Sequence, residues 1–143
     1  MVRLPHLTRM DKPERPADAV AAYYDRLAPS YGEGELFAAR RAAVLTAIAA
    51  EVENARAILD LGCGNGTYLA EFAVRVPAAL VVGADLSPAM LSAARARIGA
   101  PTTVVRTDAI ALPFRSARFD LVFMSHVLQL VHDVGRCIAE VAS

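Results

Sequence analysis

Ala57-Ile58-Leu59-Asp60-Leu61-Gly62-Cys63-Gly64-Asn65-Gly66 passes from a short apolar run, through an acidic residue, into three glycines spaced two apart. A run of this length and character suits a parallel strand buried on both faces. Directly after it, Leu69, Phe72, Ala73 and Val76 recur at i, i+3, i+4 and i+7, one apolar face of a helix. Strand, glycine turn and helix in that order predict a place where backbone can approach a ligand closely. Each missing Cβ removes a steric barrier, and the helix N-terminus offers unpaired N–H groups.

Three more strand ends follow. Leu80-Val81-Val82-Gly83-Ala84-Asp85 is an apolar run closing on a carboxylate roughly 20 residues after the glycines, the separation expected of an acid that accepts from ribose hydroxyls. Thr103-Val104-Val105-Arg106-Thr107-Asp108 is a β-branched run that also ends in an acid. Phe119-Asp120-Leu121-Val122-Phe123-Met124-Ser125-His126 is a fourth apolar run, with a hydroxyl and an imidazole just past it. The glycines read G-x-G-x-G and not the G-x-G-x-x-G of a nicotinamide or flavin turn, which disfavours a nicotinamide-dependent oxidoreductase.

These segments resemble the class I S-adenosylmethionine-dependent methyltransferases. Residues 58–66 match their motif I, (V/I)LDxGxGxG, and Asp108-Ala109-Ile110-Ala111-Leu112-Pro113-Phe114 matches D-A-x-x-L-P-F. The run Phe119-Asp120-Leu121-Val122 looks like the fourth strand, and Tyr23-Tyr24-Asp25-Arg26-Leu27-Ala28-Pro29-Ser30-Tyr31 is similar to the Y-Y-D-x-x-A-x-x-Y lead-in of the small-molecule branch that includes quinone-ring methyltransferases. The resemblance runs from about Tyr23 to the last residue. It implies S-adenosylmethionine as cofactor and methyl transfer to a small-molecule acceptor, or else a cofactor-binding half that needs a partner chain. The carried-over cofactor residues are Tyr31, Asp60, Gly62, Cys63, Gly64, Gly66, Asp85, Leu86, Asp108, Ala109 and Ser125. Asp60 is expected to orient the glycine turn and meet the methionine end, Asp85 the ribose, and Asp108 with Ala109 the adenine. Leu86 is expected to pack on the purine, and Tyr31 to serve as a cofactor or lid residue. His126 is the candidate general base, since no other titratable side chain there serves near neutral pH.

The rest of the chain sets bounds. One domain is expected of 143 residues, and 55% hydrophobic content suffices for a core. Net charge is zero and the basic residues are scattered, which argues against nucleic acid as a partner. No run reaches the roughly 18 apolar residues of a membrane span. Cys63 and Cys137 are too few for a disulfide framework and lack metal-ligand spacing, so no metal is expected. A soluble cytoplasmic protein is the plain expectation.

Residues 1–16, with Pro5, Pro13 and Pro16 among charges, read as an irregular arm before a domain over 17–143. A helix from Ala17 to Pro29 is expected to pack Tyr23 and Tyr24 on the core, and a second over Leu36–Val52 to turn Phe37, Val44, Leu45, Ile48 and Val52 to the sheet. Arg40 and Arg41 then point to solvent. Ser87, Pro88 and Gly99 mark the cap, first residue and stop of a later helix. His132 and Asp133 precede a last helix with Val134, Cys137, Ile138 and Val141 on one face. Strands alternating with helices imply an α/β, doubly wound, Rossmann-like parallel sheet. The resemblance gives it the order 3-2-1-4, with the fourth strand at an edge. Since Leu121–Met124 is apolar throughout, a homo-oligomer or complementing chain is expected to cover that edge.

Overall fold

A computed structural model describes residues 15–99 and 102–143. Pro16 opens helix α1 (Pro16–Leu27) at a position where its missing N–H is no loss. A short 3-10 turn leads to α2 (Glu35–Ala47), followed by α3 (Ala49–Asn54). The chain then alternates: β1 (Ala57–Leu61), α4 (Thr67–Arg75), β2 (Leu80–Asp85), α5 (Pro88–Ile98), β3 (Thr103–Arg106), β4 (Leu121–Met124) and α6 (Val134–Ala142). The expected arm falls on residues outside the described ones, apart from Arg15 and Pro16.

All strand pairs are parallel, in the order β3-β2-β1-β4. Leu59 of β1 stands opposite Val82 on one side and Val122 on the other, so β1 is the interior strand nearest β4 and Ile58, Leu59, Asp60 and Leu61 are all buried. Helices cover both faces, as a doubly wound sheet requires. On one face Ile58, Val81 and Phe123 pack with Leu45, Val52, Leu69, Phe72 and Leu91. On the other, Leu59, Leu61, Val82 and Ala84 meet Phe114, Phe119 and Val141. Phe72, with no exposed surface, sets its ring edge-to-face on Phe123 at 5.3 Å. Burying a side chain of this kind stabilises the fold by about 1.5–3 kcal/mol. Gly83 marks where α4 comes nearest the sheet, because a Cβ there would lie 2.9 Å from Cys63 Sγ and strike Leu69.

One expectation needs correction. The helix foreseen over Leu36–Val52 is two helices, with Ile48 (φ −108°, ψ 13°) outside helical geometry between them. Thr46 accounts for the break: its Oγ1 donates to the Ala42 carbonyl at 2.9 Å, a back-bond that bends helices. The apolar face of α6 is only partly used. Cys137 is fully buried, whereas Val134 and Ile138 are 46% and 45% exposed. The cap of α5 is as foreseen: Ser87 Oγ accepts from the Met90 N–H, and Gly99 ends the helix at φ +69°. Asp133 Oδ1 likewise caps α6 by accepting from Arg136 N–H.

At β4 only Phe123 is buried, and among the described residues the strand pairs on one side alone. Asp120 fastens its start to β1 by accepting from the N–H groups of Arg56 (3.0 Å) and Ala57 (2.7 Å), which hold its carboxyl below the usual range. No helix among the described residues is long and apolar enough to cross a membrane.

Candidate functional site

The glycine turn after β1 folds over the end of β2. Gly62 and Cys63 both donate their N–H to the Ala84 carbonyl, at 2.7 and 3.0 Å, and Gly64 N–H donates to Asp85 Oδ2 at 2.9 Å. The second Asp85 oxygen accepts from Ser87 N–H at 2.9 Å. Two backbone donors thus fix the carboxylate while leaving lone pairs on both oxygens. Gly62 adopts φ +77°, and a Cβ there would overlap Val127, so the close turn depends on glycine.

Helix α1 is tied to the same corner. Asp25 Oδ1 accepts from the Ser87 hydroxyl and from Ala89 N–H (3.1 Å), contacts that hold its carboxyl below the usual range. Asn65 secures the segment between α1 and α2, donating from Nδ2 to the Tyr31 carbonyl at 2.8 Å. The backbone carbonyl of Asn65 in turn accepts from Arg97 Nε of α5 at 3.0 Å. Neither role was visible in the sequence, since Asp25 and Asn65 reach partners that periodicity does not reveal.

These ties frame a cleft of about 740 Å³ at the C-terminal ends of the strands. Tyr31, Gly62, Gly64, Asp85 and Leu86 line it, together with Asp108, Ala109, Ser125 and His126. Cys63 lines only a smaller neighbouring cavity, and Asp60 and Gly66 line neither. Tyr24, expected in the core, instead forms a wall of the cleft, while Tyr23 is 51% exposed. The wall also includes Val20, Thr107 and His132, which the sequence did not mark.

Asp60 works from beneath the turn. It is 2% exposed, and its Oδ2 has no hydrogen-bond partner. Burial, with the nearby Asp85 charge, pushes its pKa up to about 8, against the pull of the Leu69 N–H at the start of α4. Asp85 is raised too, by burial, which the N–H groups of Ser87, Gly64 and Leu86 oppose. Burial also drives the Cys63 thiol upward, so it is no nucleophile.

The smaller cavity, of about 550 Å³, opens on the other side of the turn and shares Tyr31, Gly62, Gly64, Ser125 and His126 with the cleft. Phe37, Arg40 and Arg41, at i, i+3 and i+4 on α2, line it. The sequence had sent both arginines to solvent and Phe37 to the sheet; Arg40 is exposed as expected, whereas Arg41 is half-buried and Phe37 lines this cavity. The face of α2 that carries all three is turned to the glycine turn, with Phe37 43% exposed and 6.2 Å from Tyr31 ring to ring. Arg40 Nη1 lies 3.0 Å from His126 Nε2, and Ser125 Oγ lies 3.1 Å from His126 Nδ1. A guanidinium only donates, so Nε2 accepts and the ring proton sits on Nδ1. His126 holds this place at φ +59°, a left-handed geometry uncommon outside glycine.

Comparison with known proteins finds the methyltransferase domain family over residues 58–143. A demethylmenaquinone methyltransferase of Thermobifida fusca is 36% identical over 127 residues, covering 86% of this chain and 52% of the relative. A malonyl-[acyl-carrier protein] O-methyltransferase of Herminiimonas arsenicoxydans is 43% identical over 109 residues, 76% of this chain and 38% of the relative. Among solved structures, an amino pentose methyltransferase of Micromonospora echinaspora with S-adenosylmethionine bound superposes with a TM-score of 0.59 at 31% identity, covering 86% of this chain and 48% of that one. The chain spans about half the length, or less, of these relatives.

Proposed function

Because this chain belongs to the class I S-adenosylmethionine-dependent methyltransferase family, we propose that it binds S-adenosylmethionine in the cleft and supports methyl transfer to a small-molecule acceptor. The observation that carries this reading is one cleft bordered by the glycine turn, Asp85 and Asp108 together. The residues suit the group. The turn leaves room that a Cβ at Gly62 would take from Val127, and Asp85 keeps free lone pairs facing the cleft for two ribose hydroxyls. Asp108 and Ala109 would serve the adenine with Leu86 beside it, and Tyr31 and Ser125 would serve the methionine end. Gly66 and Asp60 support the turn from behind.

When bound, the cofactor supplies a methyl group already activated on a sulfonium. The protein's contribution is then placement and exclusion of water. Val20 and Tyr24 of α1 wall off the cleft, held there by the Asp25–Ser87 tie. His126 is the side chain placed to accept a proton from the acceptor, once Nε2 is released from Arg40.

Calorimetric titration with S-adenosylhomocysteine tests the reading, and near-micromolar binding is the expected result. Asp85→Ala leaves the ribose hydroxyls unpaired and should weaken that binding by about 1–3 kcal/mol, roughly 5- to 150-fold. Unchanged affinity would remove Asp85 from the site. Light scattering on the same sample tests a second part of the proposal, that a second copy or complementing chain covers the outer edge of β4; a strictly monomeric mass would count against self-association. The half-buried apolar side chains Leu121, Val122 and Met124 support that part. We also infer a cytoplasmic location, which the resemblance to small-molecule methyltransferases supports.

A further inference from the structure

We propose that Glu140 of α6 is a positioning residue for the adenine side of the cleft. It holds the turn that carries Asp108, and so sets how sharply the site distinguishes a purine that bears an amino group. This rests on the reading of Asp108 as the acceptor for that amino group and adds the residue that aims it.

Asp108 and Ala109 lie in a stretch without helix or strand, between the end of β3 at Arg106 and the start of β4 at Leu121. Its first part is a closed unit. Thr107 Oγ1 donates to the Ala111 carbonyl at 3.0 Å, Ala111 N–H donates to the Asp108 carbonyl at 3.0 Å, and Asp108 Oδ1 accepts from Ile110 N–H at 3.3 Å. Bonds of this kind between side chain and backbone give a turn its internal shape. They do not decide where the turn points, which is left to its two attachments. At one end Thr107 N–H donates to the Asp85 carbonyl at 3.0 Å, and at the other Leu112 N–H donates to Glu140 Oε2 at 2.9 Å. With the second removed, the turn can swing about the first, and Asp108 moves with it.

Glu140 owes its place to its helix. Cys137, Glu140 and Val141 share one face of α6 at i, i+3 and i+4, where Cys137 is fully buried and Val141 packs on the cluster around Leu59. Glu140 is accordingly half-buried, whereas a glutamate needed only for solubility belongs on the opposite face. Among the described residues no Lys or Arg nitrogen lies within 4.0 Å of its carboxylate, so no cation competes with the Leu112 N–H. A carboxylate that accepts from a backbone N–H makes a charge-assisted bond, stronger than one between neutral groups.

The same helix joins two walls of the cleft. Val131 and His132, both in the wall, lie directly before the Asp133 cap of α6, and Glu140 grips the Asp108 turn about two helical turns further on. Leu112 and Phe114 pack on the Leu59 cluster independently of Glu140, so the loop stays on the sheet when the carboxylate is taken away. The aim of Asp108 is lost, and the fold is kept.

Calorimetric titration of the whole chain with two ligands is the test. One is S-adenosylhomocysteine, and the other is S-inosylhomocysteine, in which a carbonyl oxygen replaces the purine amino group. The unmodified chain is expected to prefer the first. In Glu140→Ala the ratio of the two affinities should fall at least about fivefold, with the affinity for S-inosylhomocysteine nearly unchanged. Glu140→Gln, whose amide oxygen still accepts from Leu112, should keep most of the ratio. A general loss of competent protein weakens both ligands equally and leaves their ratio untouched, so the ratio separates aim from stability. Glu140→Asp keeps the charge but draws the oxygens back along the side chain; it should lower the ratio too, and it serves if Glu140→Ala does not fold. An undiminished ratio in Glu140→Ala, or in Glu140→Asp in its stead, overturns the proposal and leaves the donor reading standing. A Glu140→Gln ratio as low as that of Glu140→Ala overturns it as well. Equal affinity of the unmodified chain for both ligands would strike the Asp108 reading, and failure to bind either would strike the donor site; the proposal falls with each.

Discussion

Gly66→Ala is expected to lose about 2–5 kcal/mol of folding stability, a large part of what a domain of this size possesses. Gly66 sits at φ +78°, where an L side chain costs about 1–2 kcal/mol. Its new Cβ would lie 2.9 Å from Ala94 Cβ, 3.0 Å from Ala94 Cα and 3.0 Å from Ile98 Cδ1. Ala94 is fully buried, and its Cα is backbone of α5, so it has no rotamer by which to withdraw. Overpacking of this kind adds about 1–3 kcal/mol. Gly32→Ala is the control, because Gly32 has nearly the same φ, +77°, but only Asn65 Nδ2 within reach, at 3.8 Å. It should show the backbone strain alone. Urea unfolding of both variants decides the matter: equal losses would mean that the approach of α5 to the turn is not tight. The consequence reaches function, because α5 is capped by Ser87, whose N–H holds Asp85.

The second large effect is a fall in stability with rising pH, traced to Asp60. An aspartate in the unfolded chain titrates near pH 3.9, whereas burial lifts Asp60 to about 8 in the folded protein. Below about pH 4 both states hold the proton. Between there and about pH 8 the unfolded chain has lost it and the folded protein keeps it, so the folded state binds more protons and stability declines across that window. With about 1.4 kcal/mol for each unit, the full decline is on the order of 5 kcal/mol. Asp85, also raised by burial, acts with the same sign. Asp60→Asn keeps the shape and cannot ionise, so thermal melts of the free protein from pH 4 to pH 8 should be markedly flatter for the variant and its midpoint higher at pH 8. A slope identical to that of the unmodified protein would show that Asp60 is not held protonated beneath the turn.

Both effects come from the packing behind the glycine turn, whereas the turn itself is plain in the sequence. An apolar run, an acid, three glycines and a helical period lie within about twenty consecutive residues, and each is a local signal. The bounds of α5 are local in the same sense, since a Ser cap, a Pro and a Gly act on their own backbone. Strand order, too, was open to reading, because the resemblance supplied it and crossover handedness restricts the alternatives. The break at Ile48 was not foreseen, as Thr46 can either point outward or bond back to Ala42, and only the fold selects.

What the sequence determined by itself, then, is the sheet, the turn and the acids at the strand ends, all carried by short-range pattern. The tertiary structure alone decided what faces them. Arg40 meets His126 across 86 residues of chain, Asp25 reaches Ser87 across 62, and Asp60 lies sealed beneath a helix instead of open to the cleft. Periodicity says which side chains share a face but not which element that face will meet. Here α2 turned Arg40 and Arg41 to the site while burying Leu45 one turn further on, and α1 brought Tyr24 there one turn on from the buried Ala21, pairings that only the packing of the whole chain selects.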